Sequence, residues 1–267
     1  MKTTAKQRIR RLVPAAMHRW WRHTFGWKWF EGDYATWAEA RAASSGYDDA
    51  AVLVRVRTAI RAVRAGHAAW ERDGVTFTEP AVYAPLLAAL RVSVEGGCLN
   101  LVDFGGSLGS TWWQYRTALT GLSAVRWRVV EQPHFVDAGR EFSDDVLAFY
   151  ASLDEALAGT KPGTILLSSV LPYLEHPRDL LADVVRRRFR HVIIDRTPVL
   201  NGECDRLVVQ RNPPSLGGGS YPCWLFARAS LLTPFQRDYR LAAEWPGFDD
   251  IAPGVDFRGF LLERTSS

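Results

Sequence analysis

The chain has 267 residues, 47% of them hydrophobic and 23% charged, enough for one α/β domain with additions or two small domains around a sizeable core. Its net charge of +4 is uneven: Lys2, Lys6, Arg8, Arg10, Arg11, Arg19, Arg22 and Lys28 put +8 into residues 1–30, so the remaining chain carries −4, the difference between +4 and +8. A body with no net positive field argues against a general nucleic-acid binder, and Cys98, Cys204 and Cys223 lack the paired spacing of a zinc site or a disulfide framework.

Reduced thiols in a cytoplasmic protein are the simplest expectation. The first 30 residues interleave basic and aromatic side chains. Arg19, Trp20, Trp21, Arg22 and His23 interrupt any apolar run, so a signal peptide is rejected. That arm either packs its Trp residues on the domain or docks peripherally on an anionic membrane face. No run of about 18 apolar residues is present, and no transmembrane helix is expected. From 31 to 95 the pattern reads as a helical cap. Asp33 or Thr36 starts a helix through "WAEARAAS" and Gly46 ends it. Val52, Val56, Ile60 and Val63 form the stripe of a long helix, and residues 80–95 suggest another.

From residue 96 strands and helices alternate. "LNLVDF", "VRWRVVEQ", "VLAFY", "GTILLSSV" and "HVIIDRTPV" read as strands. "STWWQYRTAL", "HFVDAGREF" and "PRDLLADVVRRRF" read as the helices between them, the last with Pro177 near its start. The alternation predicts an α/β fold with a doubly wound, mostly parallel sheet. After residue 200, "NPPSLGGGSYP" is a loop, and "YRLAAEW" and "DFRGFLLER" are strands.

Ligands of such sheets bind beyond the carboxyl ends of the strands. The first strand ends at Asp103 and runs into Gly105, Gly106, Ser107 and Gly109. A dinucleotide loop needs G-x-G-x-x-G to cradle a pyrophosphate, and this spacing fails. The second strand ends at Glu131, followed by Gln132, where an acid can accept hydrogen bonds from both ribose hydroxyls of an adenosine-type cofactor. Phe149 and Tyr150 end the third strand and either flank an adenine or belong to the core. Ser168 and Ser169 end the fourth.

The D-x-G-x-S-x-G run from Asp103 to Gly109 resembles motif I of the class I S-adenosylmethionine-dependent methyltransferases, with Ser107 in place of the middle glycine. "TILLSSVLPYLEHPRDLLADV" resembles a segment of small-molecule methyltransferases, without the Asn/Asp-Pro-Pro-Tyr/Phe element of nucleic-acid amino-methylating enzymes. The set "GDYATWAEA", "SGYD", "VDFGGSLGSTWWQYR", "VVEQPHFVDAGREF" and "SYPCWLF" resembles a family of bacterial methyltransferases associated with surface-polysaccharide biosynthesis. The resemblance implies S-adenosyl-L-methionine as cofactor, held by Asp103, Gly105, Gly106, Ser107, Gly109, Glu131, Gln132, Ser168 and Ser169. It implies methyl transfer to a small polar acceptor, a hydroxyl of a sugar or glycan precursor. His176, Asp33 and Tyr173 are the catalytic candidates, His176 as general base. Tyr34, Tyr221 and Trp224 are the acceptor-binding candidates. His134 follows Glu131 and stands as an alternative helix cap. His18, His23, His67 and His191 have no partners at ligand spacing, so no metal is expected. A non-catalytic methyltransferase-like binding protein and a nicotinamide-dependent oxidoreductase remain the alternatives.

Overall fold

A computed structural model describes residues 29–46, 49–161, 163–213, 218–247 and 254–265. The basic arm expected at 1–30 lies, but for its last two residues, outside the described residues.

Five parallel strands form the centre. They are β4 (Cys98–Phe104), β5 (Ala124–Val130), β6 (Leu147–Tyr150), β7 (Thr164–Ser168) and β8 (His191–Leu200). Their spatial order is β6-β5-β4-β7-β8, the doubly wound arrangement, with its switch point between β4 and β7. β12 (Val255–Arg264) adds antiparallel to β8, and β11 (Tyr239–Pro246) adds antiparallel to β12. Strand residues bury alternate faces. Leu99, Leu101, Trp127, Val129 and Ile193 pack on one side against α2 (Asp49–Arg64), α3 (Ala84–Val92) and α4 (Ser110–Tyr115). Val102, Val130, Ile165, Leu167 and Ile194 pack on the other against α6 (Leu153–Leu157), α7 (Pro177–Arg186) and α8 (Arg228–Leu232). α5 (Pro133–Gly139) joins β5 to β6. Burial on both faces explains why these strands read as continuous apolar runs.

The segment 31–95 is not purely helical. It opens with strand β1 (Phe30–Tyr34), and a hairpin of β2 (Trp70–Arg72) and β3 (Val75–Phe77) separates its two longer helices. Helix α1 (Trp37–Ala42) is capped by Thr36 in a capping box with Glu39, not by Asp33. Beyond residue 200, β9 (Arg206–Arg211) precedes the expected loop at 212–222, and β10 (Ser220–Ala227) begins inside it, taking its last three residues as strand. β8 outruns β7, and β10 takes the edge left open, pairing Phe226 with Val199 and Ala227 with Leu200. β9 and β1 extend this antiparallel layer outward. The layer therefore stands beyond the carboxyl end of β7, where a ligand of the central sheet would lie. Among the described residues no helix is long and apolar enough to cross a membrane.

Candidate functional site

The glycine loop joins β4 to α4. Gly105 has φ +73°, and a Cβ there would collide with the Val170 side chain, so its backbone lies directly against the segment after β7. Gly106 lies on the Asp103 carboxylate, and a Cβ would come within 2.5 Å of Cγ. Ser107 adopts φ 55°, the left-handed conformation in which the motif's glycine would sit at no cost. For Ser that conformation costs about 1 kcal/mol. One feature offsets it: the Ser107 N–H donates to Glu131 Oε1 at 3.0 Å.

Glu131 thus reaches from the end of β5 across the loop. Its Oε2 also accepts the Gln132 N–H at 2.9 Å. Both residues line a cleft of ≈ 420 Å³, together with Phe104 and residues 151–154, and with Leu180, Asp183 and Arg187 of α7 on its other wall. The cleft has the size of a small-molecule site and sits at the carboxyl ends of β4, β5 and β6. The wall at 151–153 was not singled out from the sequence, since a short strand followed by Ala-Ser-Leu carries no chemical signature. Phe149 instead packs against Gly139 in the core. Tyr150 packs with the buried cluster of the opposite face.

Asp103 is 1% exposed and lies beneath the loop. Its Oδ2 accepts from Trp127 Nε1 at 2.9 Å. Burial pushes its pKa up to about 7; the Trp127 hydrogen bond opposes this and the charge of Glu131 adds to it. Asp103 shapes the loop from below and is not part of the cleft wall. Glu71, from β2, ties the hairpin to the start of α4. It is 1% exposed, accepts from Ser110 Oγ in the first turn of α4, and accepts the Gly74 N–H at 3.0 Å. Burial raises its pKa, with the Ser110 and Gly74 bonds opposing.

A second constellation stands at the ends of β7 and β8. Ser168 pairs in register with Asp195 and donates to its Oδ2 at 3.3 Å. Trp245 Nε1 donates to the other oxygen at 3.1 Å. Asp195 is 1% exposed, and burial raises its pKa. Asp195 closes the apolar run "HVII" as Asp103 closes "LNLV", the same local signal in the sequence. Ser169, at φ 56°, donates its N–H to the Asp195 carbonyl at 3.0 Å. Nearby, the Tyr173 hydroxyl donates to Gln210 Oε1 at 3.1 Å, and Gln210 Nε2 donates to the Tyr221 hydroxyl at 3.1 Å. The Tyr173 and Tyr221 rings meet edge to face, 5.2 Å apart. Enclosure around its hydroxyl holds the Tyr173 phenol well above the ordinary value, which suits a donor and not a base.

The remaining candidates are not brought to these sites. Asp33 lies on β1 in an exposed ion pair with Arg206. Tyr34 and Trp224 pack with Trp37, Leu207 and Val209 on the face of the β1–β9–β10 layer covered by α1. Strand alternation places Tyr221 on the opposite face from Trp224. His176 lines a separate cavity of ≈ 240 Å³ with Trp224, Arg178 and Asp205. Its side chain is 72% exposed, and Glu175 Oε1 lies 3.9 Å from its Nε2. His134 meets the Phe135 ring at a tilt of 58° at the start of α5, and its Nε2 is buried without a partner.

No family model matches the chain, and no curated protein does. Among solved structures, the chain is similar to the [4+2]-cyclase SpnF at 11% identity and TM-score 0.49, over 80% of this chain and 93% of that one. It is similar to the glycopeptide N-methyltransferase MtfA complexed with S-adenosylmethionine at 12% and 0.47, over 70% and 88%. It is similar to the Burkholderia thailandensis 1,6-didemethyltoxoflavin-N1-methyltransferase at 14% and 0.46, over 88% and 93%.

Proposed function

We propose that the chain is an S-adenosylmethionine-dependent methyltransferase acting on a hydroxyl of a small polar acceptor, with a sugar or glycan precursor as the leading class. One observation carries the reading: Glu131, which lines the cleft just after β5, accepts the Ser107 N–H of the glycine loop. A carboxylate there suits two vicinal ribose hydroxyls, and Gly105 lets the loop turn tightly against Val170 at the end of β7. The residues fit the group.

When bound, S-adenosylmethionine supplies an electrophilic sulfonium methyl. The chain's own work is then holding and orienting. Glu131 and Gln132 fix the ribose end, and Ala151, Ser152 and Leu153 form the wall beside it. Tyr173, tied through Gln210 to Tyr221, forms a fixed polar cluster after β7. The proton acceptor within hydrogen-bond reach of the end of β7 is Asp195. The acceptor hydroxyl gives its proton to Ser168 Oγ as Ser168 passes its own to Asp195 Oδ2. A peripheral contact of residues 1–30 with an anionic membrane, the alternative to their packing on the domain, is checked by vesicle co-sedimentation of the full chain against a chain lacking them. Equal pelleting would refute that contact.

Thermal melts with S-adenosylhomocysteine test the main reading. Binding to the folded state alone raises stability by about 2.7 kcal/mol at a hundred times Kd. No shift at millimolar ligand, or an equal shift with NADH, sinks the reading.

A further inference from the structure

Two residues that the sequence singles out, His176 and Trp224, do come together, but in a cavity of their own. That cavity measures ≈ 240 Å³ and shares no lining residue with the cleft at Glu131. α7 serves both. Its first turn walls this cavity, whereas Leu180, Asp183 and Arg187 wall the cleft. The volume falls below the roughly 300–1,000 Å³ of sites for drug-sized ligands and suits a single small ring.

The back of the cavity is rigid. Arg178, in the first turn of α7, donates to Asp205 Oδ2, to the Ser230 carbonyl and to Ser230 Oγ. Asp205 also accepts the Ala227 N–H at 2.8 Å and Ser230 Oγ at 3.1 Å. This guanidinium and this carboxylate are therefore spent on each other and on the start of α8. Arg178 also stands 5.8 Å from the centre of the buried Phe226 ring. Next to Phe226 on the same face of β10, Trp224 is stacked with Trp37 at 6.5 Å. Its Nε1 is buried without a partner.

The front is open and unspent. Glu175, His176 and Asp179 are all exposed. Glu175 comes only within 3.9 Å of His176 Nε2, beyond hydrogen-bond reach. His176 is the N-cap of α7, and its side chain makes no capping hydrogen bond. The Asp179 carboxylate has no partner among the described residues.

This combination selects a ligand class. An aromatic wall takes an apolar ring face. Carboxylates take hydroxyls through charge-assisted hydrogen bonds, and a neutral imidazole offers one donor and one acceptor. A sugar ring presents both kinds of surface. Charge narrows the choice further. Asp205 neutralises Arg178, so Glu175 and Asp179 leave the cavity negative, and an anionic ligand is repelled.

We propose that this cavity is a saccharide-binding site that takes one uncharged sugar unit against Trp224, with its hydroxyls on Asp179 and His176. A unit held there tethers a glycan to the chain without itself being methylated. The tethering role rests on the methyltransferase reading, whereas the sugar site itself does not.

The test is saturation-transfer NMR followed by calorimetric titration, on the full chain without S-adenosylhomocysteine. The probes are the methyl glycosides of glucose, galactose, mannose and N-acetylglucosamine, with glucuronate and choline as charged counterparts. The expected result is saturable binding of at least one methyl glycoside, weakened roughly tenfold or more in Asp179→Ala and in His176→Ala. Both positions are exposed, so the melting temperatures of the variants should stay at the wild-type value, and lost binding is then not lost folding. Binding of none of the glycosides by the wild type overturns the proposal. Affinity unchanged in both variants overturns it as well, because the sugar then sits elsewhere. Preferential binding of glucuronate or choline overturns the choice of an uncharged sugar. A separate titration shows whether S-adenosylhomocysteine binds; its failure counts against the cofactor reading alone.

Discussion

Asp103→Asn offers a direct reading of how the glycine loop is built. The wild-type carboxyl is sealed under Gly106 and beside Trp127, and burial moves its pKa from 3.8 to about 7. A carboxyl raised in the folded state contributes stability that is complete below its unfolded value and is lost as pH rises towards and through the folded value. Between pH 5 and 7 two units apply, and at 1.36 kcal/mol per unit the wild type should lose about 3 kcal/mol from this group. Above pH 8 the loss is complete. Asn keeps an acceptor for the Trp127 indole and cannot ionise. Denaturant melts of both proteins at pH 5, 6, 7 and 8 give the difference in stability, in which all other titrations cancel. That difference should move in favour of Asn by about 3 kcal/mol across the range. A difference independent of pH would refute the buried-carboxyl account of the loop.

Thr164 and His191 pair side by side at the amino ends of β7 and β8, and Thr164 Oγ1 and His191 Nδ1 are buried without partners. Thr164→Val should therefore raise stability by about 1 kcal/mol in a urea melt, because the lost hydroxyl satisfies nothing. Burial lowers the pKa of His191, so its contribution is present above the unfolded value near 6.5 and is lost as pH falls below it. His191→Gln should flatten that acid-side loss in melts between pH 7 and 5. Gly259→Ala drives a methyl into the Trp245 indole and should cost about 1–3 kcal/mol, read as a lower urea midpoint. Ser168→Ala, once an acceptor is in hand, should lower kcat over the whole pH range while the affinity for S-adenosylhomocysteine is unchanged.

The central sheet was legible because its strands are buried on both faces and its helices on one, which fixes both the periodicity and the order of alternation. β4 ends at Phe104 and α7 begins at Pro177, within a residue or so of the expected bounds. What escaped were the short and half-buried strands. "FEGDY" exposes three of its five residues, and β2 and β3 span three residues each, too few for a period. β10 contains Pro222, which argues against a strand unless partners on only part of its length tolerate it. The contact of Glu131 with the glycine loop was readable because strand-end chemistry is local in sequence. The cluster of Tyr173, Gln210 and Tyr221 was not, because it forms only where β10 takes up the free edge of β8.

The central claim is that Glu131 and the glycine loop hold an adenosine cofactor. Calorimetric titration of S-adenosylhomocysteine into the wild type and Glu131→Ala measures this most directly. We predict one-to-one binding by the wild type and affinity weakened roughly tenfold or more in the variant, since charge-assisted hydrogen bonds to the ribose hydroxyls are lost. Equal affinity in the two proteins, or no binding by the wild type at millimolar ligand, would contradict it.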